Sequence, residues 1–372
     1  MKKNSADKIL IIDILFLLVF GLIVISSVSV VISYNNFGYN YYYLTHQFLY
    51  GMAPGVLLMF ILKDVDYKNY KKYAHLFFFA AIFLLVMVFL PGFGLETKGA
   101  SRWIVVGDFS FQPSELAKLA FIIYFANWLA MKEKDLKNFE KGFLPFVLIV
   151  ALVALPLILQ PDIGTMMVIG AVALAMFIVA GANIRHLPLL FAGAVLAIFS
   201  LIKLAPYRVD RLMVFLHPEL DPKGIGYQIN QALLALGSGG FFGLGYGHSR
   251  QKFNYLPEPM GDSIFAVIGE ELGLFGLMIV IALFVVYAKR GFEIARNAPD
   301  NFGKFTAFGI TSWIAFQAFI NIAAITSLAP LTGIPLPFIS YGGSSLVVSL
   351  MGMGILLNIS KHSAKHNTRR VF

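Results

Sequence analysis

Residues 237–275 read GSGGFFGLGYGHSRQKFNYLPEPMGDSIFAVIGEELGLF. The stretch changes character half-way. A glycine-rich, aromatic segment passes Arg250 and Lys252, turns through Pro257 and Pro259, and enters an apolar run that carries Glu270 and Glu271. A helix needs about 20 successive apolar residues to cross a bilayer, and the run over 261–288 is long enough. Asp262 stands at its mouth. A carboxylate costs roughly 2.5–3.5 kcal/mol at a membrane centre and less near the interface. Two uses for it stay open and do not exclude each other: a cap for the following helix, or a functional group.

Working outward, the same apolar character fills the chain. Of 372 residues, 58% are hydrophobic and only 13% charged, against about 25% charged in soluble domains. The composition implies an all-α integral membrane protein, one transmembrane domain over 1–372. Ten spans are expected, near 9–33, 45–62, 73–90, 113–130, 143–159, 163–181, 187–204, 261–288, 304–329 and 342–360. The first run is too long for a signal-peptide core and lacks a cleavage site, so it reads as a retained span. Strands of a membrane barrel would be about 10 residues with alternating polarity, and these runs show neither feature. There is no cysteine, which excludes disulfides and thiolate chemistry.

The net charge of +9 is explained by topology rather than by nucleic acid. Lysine and arginine gather in alternate loops, and the rule that such loops face the cytoplasm places both termini inside. The opposite side receives few cations: Lys98, Arg102, Arg208, Arg211, Lys223, Arg250 and Lys252. They fall in two long loops, about 91–112 and, between the seventh and eighth spans, about 205–260. Within the second, YQINQALLAL at 227–236 reads as a short amphipathic helix.

Several motifs carry polar groups into this apolar chain. In QPSELAKLA, Pro113 and Ser114 belong in a first helical turn. Glu115 and Lys118, three apart, share a face and can pair, either as a structural pair or as part of a polar cavity. Arg102 and Trp103 just before it could anchor at the interface or hold a phosphate and a sugar ring. In QPDIGT, Asp162 can cap the sixth span and also face the same side as Asp262. The glycines at 239–247 do not form GxGxxG, and no Walker lysine follows; they suit either backbone approach to an anion or tight packing. Cations on the cation-poor side (Arg208, Arg211, Arg250, Lys252) suit a diphosphate headgroup. The seven histidines lack metal-ligand spacing, and no serine sits in GxSxG. PLTGIPLPFISYGGSS, with Ser340, Gly342, Gly343 and Ser344, is too rich in proline and glycine for regular helix. Such backbone at membrane depth must line a cavity or be buried in protein.

Taken in order, GASRWI, QPSELAKLA, QPDIGT, GYQINQALLALGSGGFFGLGYGHSRQKFNYLPE, DSIFAVIGEELG and PLTGIPLPFISYGGSS resemble the SEDS family of bacterial cell-wall proteins, which includes FtsW, RodA and SpoVE. The resemblance covers nearly the whole chain, and GLGYGHSRQKFNYLPEP is nearer the FtsW and SpoVE forms than the RodA form. It departs at Met260-Gly261-Asp262-Ser263, where the family usually has His-Thr-Asp-Phe; the aspartate stays and its neighbours differ. The resemblance implies ten membrane helices and a peptidoglycan glycosyltransferase of the cytoplasmic (inner) membrane that polymerises lipid II, working with a class B penicillin-binding protein (an FtsI-like transpeptidase) and other divisome proteins. It implies that Asp262 is the catalytic base, and that the leaving diphosphate is stabilised by Arg102, Arg208, Arg211, Arg250, Lys252 or a divalent cation (Mg or Mn), with no tightly bound cofactor. Glu115 and Lys118 match a family pair near the central cavity, and Trp103 matches a family tryptophan in the first outer loop. The competing expectations are an elongation polymerase of the RodA type, a lipid II flippase and a non-catalytic divisome scaffold.

Overall fold

The structure, a computed structural model, describes residues 5–90, 94–97, 100–106, 109–186, 188–190, 192–193, 214–215, 224–253 and 255–369. It is mainly helical. Helix α1 (Lys8–Val28) starts where the Asp7 side chain accepts from Leu10 N, and α2 (Val30–Phe37) ends at Gly38 in the left-handed region. Helix α3 (Tyr42–His46), a π-helical turn (Gln47–Met52) and α4 (Ala53–Asp64) run on as one stretch. Then come α5 (Tyr67–Lys72), α6 (Ala74–Met87), α7 (Pro113–Met131), α8 (Leu144–Leu159) and α9 (Ile163–Val179). The later elements are α10 (Ile225–Ser238), α11 (Ile264–Arg296), α12 (Asn301–Ile325) and α13 (Gly343–Arg369).

Among the described residues, six helical stretches are long and apolar enough to cross a membrane: Lys8–Val28, Tyr42–Asp64, Phe139–Leu159, Ile264–Arg296, Asn301–Ile325 and Gly343–Ser363. Ala74–Met87 and Ile163–Val179 are apolar but shorter. The expected seventh span, 187–204, falls mostly outside the described residues. The protein is therefore a multi-pass membrane protein in architecture. Burial sorts the helices: the apolar window of Gly343–Ser363 is 78% buried and that of Tyr42–Asp64 only 22%. Helices α12 and α13 thus form the interior, while α1, α4, α6 and α8 turn Phe16, Leu57, Phe83 and Leu148 outward, the surface a hydrocarbon solvent accepts.

The purely helical expectation needs one correction. The first long loop carries a three-stranded antiparallel sheet, β1 (Gly94–Thr97), β2 (Ala100–Val106) and β3 (Phe109–Phe111), in that order. Its segment ASRWIVV is short, aromatic and β-branched, and such residues favour a pleated ribbon. Strand alternation puts successive side chains on opposite faces, so Arg102 and Trp103 point to opposite sides of β2.

The glycine-rich segment has a packing role. Helix α11 is interrupted at Gly273 (φ 66°, ψ −166°). Across the break, Leu244 N and Gly245 N donate to Glu270 O and Glu271 O, while Leu274 N and Phe275 N donate to Gly240 O and Phe241 O. The two backbones lie so close that a Cβ on Gly273 would sit 2.3 Å from Gly243 N. Of the two uses left open for these glycines, tight packing is the one the structure displays.

Candidate active site

Asp262 lies in a turn just before α11, partly exposed. Three neighbours hold it. Asn321 of α12 donates its amide to Asp262 O and Ile334 O, each at 2.8 Å. Gln228 of α10 reaches Asp262 Oδ1 at 3.3 Å, and Ser263 Oγ reaches the same oxygen at 3.4 Å. A Cβ on Gly333 would lie 3.9 Å from Oδ2. The carboxyl therefore sits between an amphipathic helix, an interior helix and the irregular loop that precedes α13. Capping is not its role: the N-cap of α11 is Ser263, with no side-chain cap bond. Burial, followed by the charge of Glu258, pushes the Asp262 carboxyl up to about 6, against the pull of its hydrogen bonds.

The loop itself is clamped from several sides. Ser340 Oγ donates to Gly261 O at 2.6 Å and accepts from Leu336 N, and Tyr341 N donates to Met260 O. Gln47 spans Ser340 O and Gly342 N. Ser344 Oγ accepts from Gln112 N and donates to Ser110 O, tying the start of α13 to the sheet. Gly343 faces Tyr50 O, 3.4 Å from a Cβ placed on it. Ser340, Gly342, Gly343 and Ser344 therefore shape the loop, and Gly342, Gly343 and Ser344 also line a cavity beside Trp103.

Beside Asp262, across Gly333, is a polar cavity of about 120 Å³ lined by Arg102, Gln112, Glu115, Asp162, Thr165 and Thr332 among others. Helix α9 closes against the loop there; a Cβ on Gly164 would fall 2.9 Å from Thr332 O. Lys118 Nζ lies 2.9 Å from Glu115 Oε1 and 2.8 Å from Gln317 Oε1, both ions buried. Gln317 Nε2 continues to Pro335 O at 3.0 Å, so the pair is wired through α12 into the loop. Asp162 Oδ1 caps α9 at Thr165 N. Arg102 donates to the carbonyls of Gln160 and Pro161 at 2.9 and 2.6 Å. On the other face of β2, Trp103 lines a second cavity of about 240 Å³ with His46, Tyr50 and Tyr341.

Lys252 is enclosed by the fold. It is 3% exposed, and its Nζ is held by Glu271 Oε1 at 2.7 Å, Ser27 Oγ at 2.8 Å and Gly247 O at 2.9 Å. Glu270 accepts from Ser249 Oγ and from the backbone N–H of Arg250 and Gln251. This network pins the glycine segment to α1 and α11 and holds the Lys252 ammonium within the fold. The Arg250 residue is exposed. Arg208 and Arg211 lie outside the described residues. Among the described residues no three His, Cys, Asp or Glu gather as metal ligands.

Sequence reading missed Gln228, Gln317 and Asn321. A signal existed: Gln317 and Asn321 are polar residues four apart, on one face of an otherwise apolar helix, and intramembrane polar side chains mark functional interiors.

Comparison with known proteins places this geometry. The FtsW/RodA/SpoVE family model, described as cell cycle protein, matches residues 8–365. The chain is 45% identical over 362 residues to stage V sporulation protein E of Bacillus subtilis (strain 168), covering 97% of this chain and 99% of that one. It is 42% identical to the probable peptidoglycan glycosyltransferase FtsW of Geobacter sp. (strain M18), covering 96% and 98%. Among solved structures, the rod shape determining protein RodA of Thermus thermophilus matches at TM-score 0.70 and 25% identity over 96% of this chain and 97% of that one. A chain from a structure on the coordination of polymerization and crosslinking by a peptidoglycan synthase complex matches at TM-score 0.81 and 25% identity, covering 96% and 98%. With its motifs matched nearly end to end and its helices superimposed on those of RodA, the chain belongs to the FtsW/RodA/SpoVE family.

Proposed function

We propose that this protein is a peptidoglycan glycosyltransferase that polymerises lipid II, with Asp262 as its general base. The observation that carries the reading is the placement of Asp262: a carboxyl with a raised pKa, clamped by Asn321 and Gln228, beside a buried polar cavity at one end of a membrane bundle. Lipid II carries its sugars α-linked to a polyprenyl diphosphate, and the polymer is β-linked, so one inverting displacement suffices. An acceptor hydroxyl attacks the anomeric carbon, the bond to the diphosphate breaks, and Asp262 takes the hydroxyl proton. A base with a pKa near the working pH is the efficient one. The departing diphosphate needs preorganised positive charge, for which Arg102, Arg208, Arg211, Arg250 and a divalent cation are the candidates. The Trp103, Tyr50 and Tyr341 rings supply flat faces suited to sugars.

Ten spans, both termini in the cytoplasm and a site on the outer side of the bacterial inner membrane fit this chemistry, because the acceptor arrives from outside while the lipid tail stays in the bilayer. The GLGYGHSRQKFNYLPEP form and the relatives named FtsW favour septal wall synthesis with a class B penicillin-binding protein as partner. The test is direct. Purified protein with its cognate transpeptidase is incubated with lipid II, and glycan length is read on gels. Parent protein makes polymer, whereas Asp262→Asn inserts, binds the transpeptidase and makes none; general base loss alone is worth about 10²–10⁴ in rate. Polymerisation by Asp262→Asn within a few-fold of the parent would sink the assignment.

A further inference from the structure

The polar cavity between β2, α7, α9 and the loop before α13 has an uneven set of partners. Three lining side chains carry a buried oxygen with no hydrogen-bond partner: Glu115 Oε2, Asp162 Oδ2 and Thr332 Oγ1. Glu115 is 3% exposed and Asp162 8%. Their other carboxylate oxygens are committed, one to Lys118 and one to the cap of α9. Native folds rarely leave several buried polar atoms unpaired in one place. The two carboxylate oxygens only accept, so what they lack is a donor or a cation. Arg102, the cationic side chain on the wall, already spends Nε and a terminal nitrogen on two carbonyls.

We infer that this cavity is a divalent-cation site, with Glu115, Asp162 and Thr332 as its protein ligands and magnesium or manganese as its occupant. The donors are all hard oxygen, which suits these ions rather than zinc or copper. The size agrees. A cavity of about 120 Å³ holds roughly four waters at about 30 Å³ each, room for a small cation that keeps part of its hydration shell. Magnesium is usually held in this way, by one or two carboxylates plus waters and substrate phosphates. The charges point to a phosphate as well. Glu115 faces Lys118 and Asp162 shares its wall with Arg102, so the protein alone leaves the added charge of a divalent ion unbalanced. An anionic diphosphate balances it. That last step rests on the glycosyltransferase reading; the cation site does not. Gly333 lines the cavity and faces Asp262, so the cation and the proposed base share one wall.

Manganese binding to the purified full-length chain in detergent, read by the loss of the free-ion EPR signal, tests the inference without lipid II. One ion per chain is expected, displaced by magnesium. Asp162→Asn should weaken it roughly tenfold or more, in the range seen when support for a metal site is removed, with the thermal midpoint little changed because asparagine keeps the cap on α9. Thr332→Val, which leaves both carboxylates in place, should weaken it less but measurably, and it decides the matter if Asp162→Asn fails to fold. Absence of stoichiometric manganese, or equal affinity in both variants, overturns the site. A chain that binds manganese here yet makes no polymer would overturn the glycosyltransferase reading instead.

Discussion

Asn321 fixes the position of Asp262 by donating its side-chain amide to the Asp262 backbone carbonyl at 2.8 Å. The same amide holds Ile334 O at 2.8 Å, so one buried side chain sets the spacing between the turn that bears Asp262 and the loop that faces it. Asn321→Leu keeps the branched shape and removes both bonds. Each buried carbonyl left without a donor costs about 1–3 kcal/mol. The expected outcome is a lower thermal midpoint, with a larger loss of lipid II polymerisation at a temperature where the variant is still folded. Parental activity in folded Asn321→Leu would show that the clamp does not position Asp262.

How much of this was legible in the sequence follows from the kind of signal each residue leaves. Long apolar runs account for the six candidate membrane helices among the described residues, and the amphipathic pattern at 227–236 appears as α10, Ile225–Ser238. Glu115 and Lys118 pair as their spacing implies, because a three-residue offset on a helix is a local relationship. The burial of Lys252 was not legible because its partners Glu271 and Ser27 come from separate helices, and composition alone cannot distinguish a cation aimed at a ligand from one buried in an ion pair. The β-sheet was missed because its strands are three to seven residues long, too short to stand out against helical runs.

The Glu115–Lys118 pair is buried and adds a third member, Gln317. Removing one partner of a buried pair typically costs about 3–5 kcal/mol, because the other charge is left uncompensated. Glu115→Ala and Lys118→Ala should each lower the thermal midpoint markedly. The double change to Gln and Met should recover folding better than either single variant, since it removes both charges. Unchanged midpoints in both single variants would refute the pairing.

Lys252 separates a structural from a substrate role. Its ammonium is enclosed by Glu271, Ser27 and Gly247, so Lys252→Met leaves Glu271 buried and unpaired, again at a cost of about 3–5 kcal/mol. The expected result is a destabilised protein whose folded fraction keeps the parental KM for lipid II. Lys252→Met combined with Glu271→Gln should regain stability. A raised KM with an unchanged thermal midpoint would return Lys252 to the binding site.

Topology is open to a simpler measurement. If lysine- and arginine-rich loops face the cytoplasm here as the general rule has it, a reporter active only in the cytoplasm should be active when fused after Phe372. Signal from a periplasm-only reporter at that position would invert the bundle and move Asp262 to the wrong side for an acceptor arriving from outside.

The pH dependence carries the sharpest signature of Asp262 itself. Burial is the main reason its carboxyl is pushed up to about 6 from an ordinary value near 3.8, and Glu258 adds to it. The hydrogen bonds from Gln228 and Ser263 favour the charged form and pull the other way. The charged groups of the adjoining cavity are Arg102, Glu115 and Asp162. A general base works only when deprotonated, so kcat/KM should fall as pH drops through about 6, and at pH 5 roughly a tenth of the carboxyl should be ionised. Two substitutions should move this limb in opposite directions. Glu258→Gln keeps the side-chain length and the left-handed backbone at φ 48° but removes a neighbouring negative charge, so the limb should shift to lower pH. Gln228→Leu removes a hydrogen bond that favours the carboxylate, so the limb should shift to higher pH. A merely structural role for either residue would lower the plateau and leave the limb in place. If the parental limb lies near pH 4, or both variants move it the same way, the proton acceptor is a group other than Asp262.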